Sequence, residues 1–288
     1  MIISHNNSGL CNRIKSWASS VRIDEECYVN WETFTRVRRE NITYPSFESL
    51  FENKNSTINQ KFTSSVSYNR PDHVFEKGKH RDKSVLKYYN SPYLAVLPED
   101  NINRYFIKNN FTEKGIIDHQ YQKTPQHLIK TYSKIFDKIK FKRSIIDQAD
   151  KFFDEKIKNA DNLVTVHVRS FCDSLDRKQM WFDINNFIRE MKKHDSIDNI
   201  FYVSADDDEL ISLFKDEFGD KIIFYPKEVD PNIDMGSYKS QVEAIIDLTI
   251  LGRGSTMLAT ETSTFSEVAW WMSKSKPNVK KIGNIIYE

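Results

Sequence analysis

From residue 163 onward, the sequence alternates short apolar runs with stretches whose apolar residues recur at helical spacing. In chain order, the pattern predicts strand 164–169, helix 184–193, strand 200–204, helix 209–218, strand 222–225, helix 242–251, strand 257–260 and helix 265–272. Such alternation is typical of a parallel sheet with helices on both faces and right-handed crossovers. We therefore predict a doubly wound α/β domain in the second half of the chain.

The first half opens with another strand-to-helix unit, in which a strand at residues 2–4 precedes a turn and a helix. Residues 28–31 predict a second strand, whereas the polar stretch 52–90 is interpreted as loops that could line an acceptor site. Helical patterns start at Thr124-Pro125 and again at Ser144, and the second start marks the boundary between two tightly coupled domains. The predicted domains are residues 1–143 and 144–288.

Composition excludes several classes of protein. A net charge of +1 with interleaved signs argues against a nucleic-acid partner, and the three cysteines lack metal-ligand spacing. No apolar run approaches the roughly 18 residues that a membrane span needs, so we expect a cytoplasmic protein with no transmembrane segment. The lysine-rich stretch 130–143 is interpreted as a solvated helix face, with peripheral contact to an anionic membrane surface as the alternative.

A His-x-Arg pair ends the apolar strand within Leu163–Asp173. Because side chains alternate along a strand, His167 and Arg169 share one face, opposite Val166 and Val168. At the carboxyl edge of a parallel sheet, an Arg offers a rigid fork of donors to a phosphate. The alternative is an Arg paired with a carboxylate and a His hydrogen-bonded in the core.

Hydroxyl residues fill the segment between the last predicted strand and its helix, Glu261-Thr262-Ser263-Thr264-Phe265-Ser266-Glu267. Thr264 with Glu267 predicts a capping box, which leaves free helix amides beside Thr262 and Ser263. Amides, hydroxyls and the positive end of the helix dipole together form an anion site, whereas plain N-capping is the alternative. Arg169 is expected at the same sheet edge, which favours anion binding.

Asp247 interrupts an apolar helical stretch, and a carboxylate buried there should be paired or should contact a ligand. One carboxylate can accept two parallel hydrogen bonds from N1 and N2 of guanine; a salt bridge or simple exposure is the alternative. The acidic run Asp206-Asp207-Asp208 lies between a predicted strand and a predicted helix. We interpret it as a capping cluster rather than a metal-binding Asp-x-Asp site.

Four motifs, in this order, resemble those of the GDP-fucose-dependent fucosyltransferase superfamily, which includes the α1,2, the α1,6 and the protein O-fucosyl enzymes. The turn Ser8-Gly9-Leu10-Cys11-Asn12-Arg13, in which Asn12 and Arg13 can face an interdomain cleft, is similar to the family's Gly-Gly-Leu-Gly-Asn-Arg. His167-Val168-Arg169 is similar to its His-x-Arg, and Phe201 to Asp207 to its strand ending in Thr-Asp-Asp. Asp247 to Ser266 is similar to its Asp-to-Ser-x-x-Phe-Ser stretch.

This resemblance implies a GT-B architecture, with two Rossmann-like domains and a cleft between them. It also implies a donor held by the C-terminal domain, inversion at the anomeric carbon and no obligatory metal. Carried over by position, Arg169 and Ser263 would hold the β-phosphate, while His167 and Asp247 would contact the guanine side. The full expected donor-binding set is His167, Arg169, Asp247, Ser263, Thr264, Ser266, Gly9, Asn12 and Arg13.

Two positions depart from the family pattern. Cys11 replaces a family Gly, and Asp173 sits one residue later than in the usual His-x-Arg-x-x-Asp. Arg169 and Asp173 are the expected catalytic residues, with Asp176 as the other candidate for the general base. The expected reaction is direct displacement, moving fucose from GDP-fucose to a glycan hydroxyl. The alternatives are another nucleotide-sugar donor on the same fold, or a catalytically silent nucleotide- or glycan-binding protein.

Overall fold

A computed structural model describes most of the second half of the chain and parts of the first. The described residues are 2–6, 9–23, 27–31, 44–53, 87–89, 94–95, 97, 100, 111–112, 116–117, 121–158, 160, 162–170, 183–228 and 236–283. The chain divides into two compact units, Met1–Ile139 and Lys140–Glu288. Within the described parts, none of the helices has the length and apolar character that crossing a bilayer requires.

In the described residues of the first unit, three parallel strands form a sheet in the order β2-β1-β3, and a small antiparallel sheet has the order β4-β6-β5. The strands of this unit are β1 Ile2–His5, β2 Cys27–Asn30, β3 Lys87–Tyr89, β4 Leu94–Ala95, β5 Phe111–Thr112 and β6 Ile116–Ile117. Its helices are α1 Leu10–Ile23, α2 Phe47–Leu50 and α3 Gln126–Phe136. Four aromatic side chains pack together edge to face or stacked, namely Trp17, Trp31, Phe47 and Phe51.

The second unit is built on a five-stranded parallel sheet in the order β11-β10-β7-β8-β9. Its strands are β7 Asn162–Val168, β8 Asn199–Ala205, β9 Ile222–Ile223, β10 Thr256–Thr260 and β11 Asn278–Ile282. Its helices are α4 Arg143–Lys156, α5 Ile184–Lys192, α6 Asp208–Phe218, α7 Tyr238–Leu251 and α8 Thr264–Met272. The chain runs outward from β7 to β9, returns across the sheet, and continues from β10 to β11. Ligands of such sheets bind beyond the carboxyl ends of the strands where this reversal occurs, here β7 and β10.

The two faces of this sheet differ in chemistry. Val164, Val166 and Val168 of β7 belong to an apolar core shared with α5 and α6. The intervening side chains of β7 and β8 are polar and equally buried: Thr165, His167, Tyr202 and Ser204. The alternation predicted for this strand is therefore confirmed, and polar groups line the face that lies opposite the apolar core.

The predicted order of strands and helices in the second half is confirmed, although several details of the prediction differ from the structure. Helix α7 begins at Tyr238, four residues before the predicted 242, and the strand β11 was not predicted. The interpretation of residues 52–90 as loops is wrong at β3, while 54–86 and residue 90 lie outside the described residues. The N-cap of α8 is Ser263, so the capping box predicted at Thr264 is one residue too late.

Candidate functional site

A single hydroxyl joins the ends of β7 and β10 at the point where the strand order reverses. Thr260 Oγ1 accepts a hydrogen bond from the Arg169 N–H at 2.8 Å and donates one to the His167 carbonyl at 3.2 Å. Thr260 is 1% exposed, so water does not compete for these bonds. The exit of β7, which carries His167 and Arg169, is therefore fixed against the segment that leads into α8.

His167 is a buried, neutral side chain at this edge. Its Nδ1 lies 2.8 Å from Ser266 Oγ, and its ring stacks on Phe265 with centroids 4.9 Å apart. Burial lowers the pKa of His167 to about 3; the negative charge of Asp206 opposes the shift, while the positive charges of Arg169 and Lys227 add to it. An uncharged imidazole can both donate and accept a hydrogen bond, which suits contact with a polar ligand edge.

Arg169 pairs with the carboxylate of Asp206, which follows the last residue of the neighbouring strand β8; this is the alternative that its position in the sequence left open. Its Nη1 lies 2.9 Å from Asp206 Oδ2, and Asp206 Oδ1 accepts from the Ser170 N–H at 2.9 Å and from the Ser170 hydroxyl at 2.6 Å. The Arg169 side chain is 33% exposed and Asp206 only 11%. Asp206 thus anchors an arginine that still reaches solvent at the sheet edge.

The start of α8 supplies the second half of the edge. Ser263 is the N-cap, its side chain makes no capping hydrogen bond, and its N–H bonds the Thr260 carbonyl at 3.3 Å. Thr262 has φ +61°, a left-handed conformation that a β-branched residue rarely adopts. The first amides of an α-helix have no acceptor within the helix and carry the positive end of its dipole. Together with Arg169, this segment gives the edge the features of an anion site.

Asp247 lies beneath the edge, 2% exposed and fully paired. Its Oδ1 accepts from the Tyr202 hydroxyl at 2.5 Å, its Oδ2 accepts from the Ser204 hydroxyl at 2.9 Å, and Lys227 Nζ lies 3.1 Å from Oδ2. Burial, followed by the negative charge of Asp247, raises the pKa of Tyr202 well above 10.0, so Tyr202 stays a hydroxyl donor. This is the salt-bridge alternative; the guanine contact of Asp247 stays a prediction.

Three partners of Asp247 were not predicted, although two of them left a signal. Tyr202 and Ser204 alternate with apolar residues on β8, so a period-two pattern places both on the polar face. Lys227 follows β9 in an irregular segment, where no periodicity reports its direction. Its ammonium also donates to the carbonyl of Ala205, the last residue of β8.

In the first unit, the predicted N-terminal motif forms the entry to α1. Arg13 is 2% exposed; its guanidinium donates to the Trp31 carbonyl and lies 4.1 Å over the Tyr44 ring. Burial lowers its pKa to about 10, partly opposed by Tyr44. Asn12 Oδ1 is buried without a hydrogen-bond partner among the described residues. A Cβ added at Gly9 would meet no atom within 4 Å, so space does not require glycine there.

In the acidic run Asp206-Asp207-Asp208, the first two residues have different structural roles. The candidates for the general base lie in another part of the chain. Asp207 is the N-cap of α6 and accepts from the Glu209 N–H at 3.0 Å, as predicted, while Asp206 holds Arg169. Within the described segments, no three His, Cys, Asp or Glu side chains cluster in a way that would hold a metal ion. Asp173 and Asp176 lie outside the described residues.

Comparison with solved structures identifies the fold. The chain is similar to the NodZ α1,6-fucosyltransferase soaked with GDP-fucose, with 15% identity, a TM-score of 0.51 and coverage of 94% of this chain and 91% of that one. It is similar to POFUT1 in complex with GDP, with 13% identity, a TM-score of 0.52 and coverage of 99% and 98%. For a mutant of Arabidopsis thaliana FUT1 in complex with GDP, identity is 11%, the TM-score 0.52, and coverage 96% and 69%.

Comparisons of sequence alone give no match. No protein-family model matches the chain, and no curated protein matches it. The structural matches nevertheless extend over nearly the whole chain, and they confirm the predicted α/β fold class of GT-B type. The chain therefore has the fold of the GDP-fucose-dependent fucosyltransferases.

Proposed function

We propose that the protein is an inverting fucosyltransferase, which moves fucose from GDP-fucose to a hydroxyl of a glycan acceptor. The observation that carries this proposal is the convergence at Thr260, where Arg169 and the start of α8 meet at the edge where β7 and β10 end. A cation and a helix N-terminus at one edge suit a diphosphate. The fold shared with fucosyltransferases that bind GDP or GDP-fucose supports a nucleotide diphosphate in this position.

In the proposed reaction, the acceptor oxygen attacks the anomeric carbon of fucose as the bond from that carbon to the β-phosphate oxygen breaks. The electron pair of the broken bond leaves with GDP. Arg169 and the α8 N-terminus around Ser263 stabilise the charge that grows on the departing diphosphate, and each preorganised donor of this kind is typically worth about 10²–10³-fold in rate. Asp206 holds Arg169 in place before the charge develops.

A carboxylate accepts the proton of the attacking hydroxyl. We propose Asp173 for this role, with Asp176 as the other candidate, because both follow β7 closely in sequence. Thr264 and Ser266 complete the donor side at the start of α8, and Gly9, Asn12 and Arg13 are the further residues proposed to bind the donor. Since Arg169 and the helix dipole already supply positive charge for the leaving group, we propose that no metal ion is required.

The base end of the donor is proposed to lie near His167 and Asp247. His167 is neutral there, so it suits a hydrogen bond with an uncharged nucleobase better than an ion pair with phosphate. The Asp247–Lys227 pair is proposed to lie at the end of the site that receives guanine, a base that carries a carbonyl acceptor beside its N–H donors. Cytoplasmic action on glycan precursors stays a prediction.

A thermal-shift panel tests the nucleotide first. GDP should raise the melting temperature, and UDP, ADP and CMP should do so far less, because a ligand specific to the folded state stabilises it by mass action. Equal shifts with all four would contradict the guanine assignment and favour a different nucleotide-sugar donor.

Turnover tests the enzyme. Purified protein with GDP-fucose should release GDP slowly with water and faster with a suitable glycan. A protein that binds GDP yet never consumes GDP-fucose, with any acceptor or with water, would instead be a nucleotide- or glycan-binding protein.

A further inference from the structure

Lys227 occupies an unusual position for a lysine. Its ammonium donates to the carbonyl of Ala205, which ends β8, and lies 3.1 Å from the buried Asp247 carboxylate. The Lys227 side chain is 18% exposed, whereas Asp247 is 2% exposed. Of this pair, the lysine therefore faces outward at the carboxyl edge of the sheet, and the aspartate lies behind it.

The surroundings of Asp247 leave it little capacity for a ligand. Each of its oxygens accepts from a protein hydroxyl, Oδ1 from Tyr202 and Oδ2 from Ser204, and Oδ2 also faces the ammonium. An ammonium carries three donors, and two are directed to Ala205 and Asp247. Lys227 has no further partner in the described part of the chain, so its third donor is available to a ligand at the edge.

Lys227 also belongs to the same charge environment as the proposed donor site. Its positive charge helps to lower the pKa of His167, which places the two side chains in electrostatic reach of each other. His167 itself is tied to the first turn of α8 through Ser266. From β10 toward β8, the edge thus presents a helix N-terminus, Arg169 and then Lys227.

We propose that Lys227 reads the nucleobase of the donor by donating a hydrogen bond to the carbonyl oxygen of guanine, and that Asp247 is a positioning residue acting through Lys227. This inference rests on the proposed function. The argument rests on solvent exposure, because Lys227 is the more exposed member of the pair. Lys227 is a hydrogen-bond donor, so it favours a base edge that carries an acceptor. Adenine presents an amino group at that position, which an ammonium rejects.

The experiment measures dissociation constants of GDP, IDP and ADP by calorimetry. IDP keeps the carbonyl of guanine and lacks only its 2-amino group. For the wild-type protein, we expect IDP to bind nearly as well as GDP, and ADP to bind about tenfold or more weakly. A GDP preference over IDP as large as that over ADP would overturn the proposal, because a direct contact of Asp247 with the 2-amino group would then dominate.

Substitutions test whether Lys227 contacts the nucleobase or only balances the charge of Asp247. Lys227→Met should weaken GDP and IDP by about tenfold or more and leave ADP nearly unchanged. The matched control is Lys221→Met, which removes a lysine that also contacts one carboxylate, Asp195, and one carbonyl, Ser196, but immediately before β9. The control should leave all three constants unchanged. Equal weakening of all three nucleotides by Lys227→Met would assign Lys227 a structural role only.

Lys227→Met leaves the buried Asp247 carboxylate without its cation, which can destabilise the fold. A second variant therefore tests the same contact without an unpaired buried charge. The double variant Lys227→Met with Asp247→Asn removes both charges and should again lose the preference for GDP over ADP. Asp247→Asn alone keeps the lysine and an oxygen that can accept from it, so it should reduce the preference for GDP over ADP only in part, and less than Lys227→Met does. A larger loss of the preference in the single Asp247→Asn variant than in Lys227→Met would overturn the proposal, and failure of the wild-type protein to bind any of the three would overturn the proposed function itself.

Discussion

Asp206 holds Arg169 by one carboxylate oxygen and holds the next residue, Ser170, by the other. The carboxylate thus fixes the side chain that is proposed to stabilise the leaving group and the backbone that follows it. Asp206→Asn keeps the shape and loses the charge, so we expect kcat for GDP-fucose hydrolysis to fall about tenfold. Asp207→Asn, at the adjacent N-cap, is the control and should leave kcat unchanged, because Asn caps helices as well as Asp. An unaltered rate in Asp206→Asn would remove it from the proposed mechanism.

Arg169 itself provides a sharper test of leaving-group stabilisation. Arg169→Lys keeps the positive charge but loses the planar two-pronged contact, so turnover of GDP-fucose should fall by more than about tenfold. Arg169→Ala should reduce it further. Steady-state rates of GDP release check this, with Arg189→Lys on the exposed face of α5 as the control. Full activity in Arg169→Lys would mean that another residue contacts the leaving group.

Protonation of His167 should oppose folding in acid. Its pKa is about 3 in the folded protein against 6.5 for the free side chain, so the unfolded chain binds the proton more tightly. Stability from this group is therefore complete above pH 6.5 and is lost as the pH falls from 6.5 toward 3. Urea unfolding between about pH 6.5 and 4 should show a smaller loss of stability in His167→Gln than in the wild type. His127→Gln, at an exposed position on α3, is the matched control substitution.

The hydroxyl of Tyr202 should stabilise the fold through Asp247. Tyr202→Phe removes a buried donor to a carboxylate, which costs about 1.5–3 kcal/mol of unfolding free energy. Urea denaturation followed by circular dichroism measures the loss. Tyr238→Phe removes the hydroxyl of a tyrosine that is 50% exposed and should change stability by less than about 0.5 kcal/mol. Equal effects of the two substitutions would contradict the role of Tyr202 in holding Asp247.

Metal independence is tested by chelation. The acidic run after β8 is already engaged, since Asp206 holds Arg169 and Asp207 caps α6. We therefore expect hydrolysis of GDP-fucose to survive EDTA at an unchanged rate. Activity that disappears with EDTA and returns with Mn²⁺ would show that a metal ion neutralises the diphosphate instead.

The sequence predicts local patterns well and long-range pairings poorly. The polar and apolar faces of β7 follow from period-two alternation, because each side chain's direction depends only on its neighbours along the strand. The pairing of Asp247 with Lys227 does not, since Lys227 comes from an irregular segment whose direction is set by the folded sheet. β11 escaped prediction because an edge strand reading Asn-Val-Lys-Lys-Ile carries two consecutive lysines, which protect edges from further pairing and hide the strand signal.

The α8 N-cap was missed by one residue for a related reason. Ser263 and Thr264 are both good capping residues, and local sequence does not choose between them. The choice is made by β10, whose last residue, Thr260, accepts the Ser263 N–H and so fixes where the helix can begin. The motif alone was enough to nominate the candidate site residues at this edge, whereas their partners were set by tertiary packing.

The two faces of the sheet in the second unit have separate roles: one contributes to stability, and the other leads to the proposed site. On one face, the valines of β7 pack with Phe201 of β8 against α5 and α6, whereas the other face carries the polar side chains that lead to Arg169 and Lys227. Substitutions that refill or enlarge the apolar side can therefore be selected for thermal robustness without touching the edge. Conversely, substitutions on the polar face can change the donor preference with little effect on the stability of the domain. Such a sheet lets a lineage exchange its sugar nucleotide while the framework that presents it stays the same.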